Sequence, residues 1–202
     1  MHKWIALLGL SLLVLSTVGC ASKAPPPTGF LSDYSKLEEH KDGAMRYISQ
    51  DLKTYSSFML DPVEMRARGS LKPNEAAEVA NYFNDRLGGE LAKRGFNVVS
   101  TPGAGVGRVR VALTDINEST WWMNLHPASK ITGVGTGGAS MEGEVVDSVT
   151  GRQLAAVIQA GKGNQFELDT FNRLDDVKDT INEWAENAGN RMAELRAANA
   201  SR

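Results

Sequence analysis

The sequence predicts an α+β domain: a mostly antiparallel sheet of about five strands, with two long amphipathic helices packed on one face. Three observations carry this expectation. Apolar residues recur at steps of three and four from Ala76 to Leu91 and again from Leu174 to Leu195, the spacing of one buried helix face. Shorter stretches alternate apolar and polar residues or are rich in branched ones, as strands are. Each helical stretch has a single apolar stripe, so both belong on one side of a shared sheet.

In chain order, Ser57 to Met65 reads as the first strand, with Phe58 and Leu60 alternating with Met59. Pro62 places it at an edge or a bulge, because proline cannot donate to a ladder. The first helix opens at Pro73, with Glu75 and Glu78 near the positive end of its dipole. Its stripe is Ala76, Val79, Ala80, Phe83, Leu87 and Leu91; Gly88 and Gly89 mark a kink or a close contact, and Gly95 caps the end. Phe96 to Ser100 is a short strand. Arg108 to Ile116 is the clearest one, with Val109, Val111 and Leu113 on one side and Arg110, Ala112 and Thr114 on the other.

Ser140 to Asp147 and Arg152 to Ala160 form a β-hairpin around the turn Ser148 to Gly151. The second arm is the more apolar, as a central strand would be. The last helix runs from about Leu174 to Ala198, capped by Asn172, with the stripe Leu174, Val177, Ile181, Trp184, Ala188, Met192 and Leu195. Arg191, Arg196 and Arg202 sit towards its negative end.

The 202 residues carry a formal net charge of −2. Charges of both signs are dispersed, so no basic stripe for nucleic acid and no basic patch for anionic lipid is present. The chain has one cysteine, so it forms no internal disulfide.

The chemical candidates are few. Gly133, Gly135 and Gly138 match the dinucleotide fingerprint by spacing, but they precede a strand where that motif must open a helix. His40 and His126 stand far apart in no ligand spacing, which leaves no zinc site. Glu142 and Glu144 share one face of a strand. They could shuttle protons or bind a cation, and the expectation is instead the wet face of a half-exposed strand. Asp147, Ser148, Thr150 and Gly151 read as turn chemistry. No cofactor and no metal is expected. Trp121 and Trp122, with Met123 and Leu125, form a possible interaction surface on a poorly patterned stretch, since aromatics and methionine make interface hot spots. The competing expectation is a loop folded over an open end of the core. Phe30 and Tyr34 are expected to pack onto the domain's edge.

The first twenty residues have the layout of a secretory signal: Lys3, an apolar run from Trp4 to Leu15, then small residues up to Cys20. The run is too short and too early for a permanent span. Val18, Gly19 and Cys20 resemble the lipobox of bacterial lipoproteins, with Thr17 where that motif usually has leucine. The resemblance implies cleavage before Cys20 and acylation of it, leaving 202 − 19 = 183 residues. Three acyl chains, palmitate among them, exceed the two signals that stable anchoring takes. Ala21 and Ser22 lack the aspartate that retains such proteins in the inner membrane, so the resemblance implies an outer-membrane anchor facing the periplasm. Residues 20–29, with Pro25, Pro26 and Pro27, read as an extended tether, and residues 30–202 as one domain.

Two further motifs carry a second resemblance. Gly29-Phe30-Leu31-Ser32-Asp33-Tyr34-Ser35 with Leu37, and Met141-Glu142-Gly143-Glu144-Val145-Val146-Asp147-Ser148 with Thr150 and Gly151, are similar to signatures of the Gram-negative lipoprotein family "domain of unknown function 3313". That family has no settled activity, so the resemblance implies a location and a fold. Three roles stay open. The expectation is a binding or scaffold component of an envelope assembly, with envelope proteins as partners. The alternatives are a small-molecule or lipid binder using Trp121 and Trp122, and a hydrolase using Glu142 and Glu144. No nucleophile elbow and no catalytic cysteine support the last, and an enzyme is not expected.

Overall fold

A computed structural model describes residues 24–66, 71–117, 138–161 and 173–200. They form one eight-stranded sheet with two helices on one face. In chain order the elements are β1 (Glu38–Glu39), β2 (Met45–Ile48), a 3-10 turn (Gln50–Thr54), β3 (Ser57–Leu60), β4 (Glu64–Met65), α1 (Pro73–Lys93), β5 (Asn97–Val98), β6 (Val106–Asn117), β7 (Gly138–Asp147), β8 (Gln153–Ala160) and α2 (Arg173–Ala200). Across the sheet the order is β1-β2-β8-β7-β6-β3-β5, with β4 also on β6.

The sheet is mixed, which corrects the expectation of about five mostly antiparallel strands. The β6–β7–β8–β2–β1 half is antiparallel, whereas β3 pairs parallel with both β5 and β6, and β4 parallel with β6. The cause is α1. It carries the chain back across the sheet between β4 and β5, and a helical crossover is how two strands come to run the same way. Two strands, β1 and β2, come from a stretch without a clear alternating pattern.

The segment read as one strand from Ser57 to Met65 is two. Leu60 pairs with Val109 and Glu64 with Ala112, so the first chain spends one residue more than its partner around Pro62. That is a bulge, as the missing proline donor demands. The Asn84 side chain of α1 holds the gap by donating to the Asp61 carbonyl at 2.8 Å.

The main core lies between helices and sheet. Val79, Phe83, Leu87 and Leu91 of α1 and Val177, Ile181, Trp184 and Ala185 of α2 are buried against Phe58, Val111, Leu113, Met141 and Leu154. Phe83 and Trp184 meet with ring centroids 6.1 Å apart. The α1 stripe is largely the expected one, the helix runs unbroken through Gly88 and Gly89, and Gly95 takes the positive φ of a C-terminal cap. The α2 stripe differs at one turn: Ala188 is exposed, and the buried positions are Ala185 and Gly189. A Cβ on Gly189 would lie 2.9 Å from the Arg94 guanidinium, so the helices close there around an arginine. Arg196 donates to the Arg94 and Gly95 carbonyls, at 2.5 and 3.0 Å, and stacks on Phe96. It therefore serves the end of α1 rather than that of its own helix.

Candidate functional site

The other face of the sheet is covered by the chain's own N-terminal segment. On β7 the side chains alternate, so Met141 points to the helices while Glu142 and Glu144 point away from them. Their cross-strand neighbours are Ala112 and Arg110 on β6 and Ile158 and Ala156 on β8. Apart from Arg110, these four cross-strand neighbours are apolar. Phe30 and Leu31 lie over it and form a second buried cluster with Ala112, Ala156 and Ile158, flanked by Ala24, Tyr34, Leu37, Met45 and Tyr47.

Glu142 and Glu144 are consequently 0% and 3% exposed, not the wet face expected of a half-exposed strand. A buried carboxylate is costly unless donors surround it, and the N-terminal segment supplies them. Glu142 accepts from the Thr28 backbone N–H at 2.6 Å and from the Tyr34 hydroxyl at 2.5 Å. One oxygen of Glu144 accepts from the Ser32 N–H, the Ser32 hydroxyl and the Gln153 amide, at 3.0, 2.7 and 2.9 Å. Its other oxygen accepts from Arg110 at 2.5 Å. Gln153 also donates to the Asp33 carbonyl at 3.0 Å, and its own Oε1 is buried without a partner among the described residues.

The aromatic residues complete the clasp. The Tyr34 hydroxyl also accepts from the Leu31 N–H at 3.0 Å. Burial, and then its bond to Glu142, push the Tyr34 phenol above its ordinary range. The guanidiniums of Arg110 and Arg66 stand over the Phe30 ring, 4.9 and 5.0 Å from its centroid. Thus Thr28 to Tyr34 is a strap, and Phe30 and Tyr34 lie across the open sheet face rather than at an edge. The stretch read as a free tether is docked in its second half, through Ala24 and Thr28.

The turn after β7 behaves as its residues predict. Asp147 Oδ1 accepts from the Val149 and Thr150 N–H groups and the Thr150 hydroxyl, and Oδ2 accepts from the Tyr55 hydroxyl at 2.6 Å. These donors, Tyr55 foremost, hold the Asp147 carboxyl far below the usual carboxylate range. Burial and the same bond push the Tyr55 phenol up. Ser148 ties the turn to the Gly103 backbone with two bonds of 3.0 Å, and Gly151 takes a positive φ.

The site residues that the sequence singles out divide sharply. Cys20, Trp121, Trp122, Met123 and Leu125 lie outside the described residues, as does His126. Gly138 opens β7, a strand. Glu142 and Glu144 are brought together with Phe30 and Tyr34. The sequence reading missed Thr28, Ser32, Arg110 and Gln153 as members of this cluster. The available signal was the apolar pair Ala156 and Ile158 on the same face as the glutamates, which requires a cover. Among the described residues no three His, Cys, Asp or Glu side chains group as metal ligands, and no helix is long and apolar enough to cross a membrane.

A sequence model of the family described as "Protein of unknown function (DUF3313)" matches residues 26–188, a span that contains both halves of the clasp. No curated protein matches the chain. Among solved structures, the PelC dodecamer from Paraburkholderia phytofirmans is similar at 9% identity and a TM-score of 0.46, over 71% of this chain and 94% of that one. A DUF330 protein from Xanthomonas campestris is similar at 6% identity and 0.43, over 74% and 91%. A minor lipoprotein from Acinetobacter baumannii is similar at 10% identity and 0.34, over 70% and 93%.

Proposed function

Because the chain belongs to the DUF3313 family of proteins of unknown function, we propose a role from its own residues: a periplasmic lipoprotein anchored through Cys20 to the outer membrane, acting as a binding or scaffold component of the envelope. The observation that carries this reading is the strap. The described fold begins at Ala24, which packs against the sheet, and only Ala21, Ser22 and Lys23 separate it from the lipobox cysteine. An acyl group on Cys20 would therefore hold a folded body directly.

The state of the buried carboxylates favours binding over hydrolysis. Glu142, Glu144 and Asp147 each spend their oxygens on donors from the protein itself. A general acid or base must instead reach a substrate proton.

The test compares the wild type with Cys20→Ala by membrane fractionation and intact mass. The reading requires that only the wild type carries acyl mass and sediments with outer membrane. Identical cleavage and solubility of the two forms would remove the anchor, and a free periplasmic domain would take its place.

A further inference from the structure

We infer that the strap face of the sheet is the surface apposed to membrane lipid, with the helical layer turned away from it. This rests on the anchor proposed above and adds an orientation, which the length of chain between Cys20 and the fold dictates. Ala24 packs against the cluster of Phe30, Leu31, Ala112, Ala156 and Ile158, on the side of the sheet away from the helices. The four residues from there back to Cys20 span at most about 14 Å when fully extended. The helices lie on the far side of the sheet, against Val111, Leu113, Met141 and Leu154. A helix with its side chains is about 10–12 Å across, so the outer surface of that layer lies roughly 15 Å behind the sheet and further still from Ala24.

A lipid on Cys20 thus cannot bring the helical surface to the bilayer while the strap stays docked. Undocking it would expose Phe30 and Leu31 with the apolar face beneath them and exchange the bonds from Thr28, Ser32 and Tyr34 to the two carboxylates for bonds to water, and losing that apolar burial is unfavourable. The strap turns a flexible leash into a fixed attachment point. Charge does not set the orientation. The charges at the strap are paired: Arg110 with Glu144, Arg66 with Glu64 and Lys36 with Asp33. Apposition should therefore hold on zwitterionic lipid and in salt.

The experiment supplies the anchor chemically, so that it reads orientation whether or not the cell acylates the chain. The chain beginning at Cys20, the form that lipobox cleavage yields, is coupled through that cysteine to maleimide-bearing lipid in phosphatidylcholine vesicles. Photo-crosslinking benzoylphenylalanine is placed either at Lys36, exposed beside the strap, or at Asn187, exposed on α2. Lipid adducts should form several-fold more at Lys36 than at Asn187. A long Gly/Ser insertion between Ser22 and Lys23 should level the two. Equal yields without the insertion, or an excess at Asn187, would overturn the orientation. Absence of acylation in cells, in contrast, would overturn only the proposed anchor.

Discussion

The Tyr34 hydroxyl donates to Glu142 Oε2 at 2.5 Å, joining the start of the fold to the middle of its sheet. Glu142 is fully buried, and this bond is one of the two that the strap gives it. Tyr34→Phe keeps the ring and removes only the donor. Leaving a buried acceptor short of a partner costs about 1–3 kcal/mol, so the urea midpoint should fall with the slope unchanged. The folded phenol's proton affinity is raised, so its contribution is complete below the ordinary tyrosine range and disappears as pH rises through the folded value. The gap between wild type and Tyr34→Phe should therefore close in strong alkali.

Arg110 and Glu144 should prove coupled. Removing either partner of a buried ion pair is more harmful than removing both. The Arg110 side chain is 28% exposed, so part of its charge is screened by water. Glu144→Ala should cost about 2–3 kcal/mol, and the double variant with Arg110→Ala should cost less than the sum. Additive losses in that cycle would show that the pair does not act as a unit.

Gly107 faces Phe58 on the neighbouring parallel strand, and a Cβ there would lie 2.7 Å from its ring. Phe58 cannot yield freely, since it is wholly buried and packs edge-on against Phe96 at 5.5 Å. Gly107→Ala should destabilise by about 1–3 kcal/mol, the usual range for overpacking. Adding Phe58→Leu, which makes room, should give a smaller total loss than the two single changes summed. Thermal unfolding of the four proteins checks this.

Acid should act through Asp147. Its folded carboxyl titrates well below the ordinary value of 3.8, so its stabilising effect is complete above that value and is lost progressively as pH falls below it. Asp147→Asn should flatten the acid limb of the stability profile below pH 4 and lower stability at neutral pH. An unchanged acid limb would assign acid unfolding to other groups.

How much of this was legible in the sequence depended on how local the cause was. The α1 stripe, the Gly95 cap and the β7–β8 hairpin follow from spacing within one element, and the structure has them. The break at Pro62 was legible as a bulge or an edge, but not which. The parallel pairs of β3 were not legible, because the direction of a strand is set by what crosses between strands rather than by its own residues. Ala188 was misplaced by one helical position because Gly189, with no side chain to register in an apolar pattern, gives its space to Arg94. The glutamates were misread for a similar reason. Alternation gave their shared face correctly, but their burial depends on a strap 112 positions away in sequence.

The clasp also fixes an order of events. The bonds from Thr28 and Ser32 to β7 span 114 and 112 positions, and closing so long a loop is entropically costly until the rest of the sheet is in place. A chain exported N-terminus first would present residues 24–34 well before Glu142 and Glu144 follow. During that interval residues 24–34 have no sheet face to dock on. Once β7 pairs between β6 and β8, the same segment can close over the sheet. The two buried glutamates thereby tie closure of the strap to completion of the sheet: they stay hydrated while the domain is unfinished, and are covered only when β6, β7 and β8 are paired.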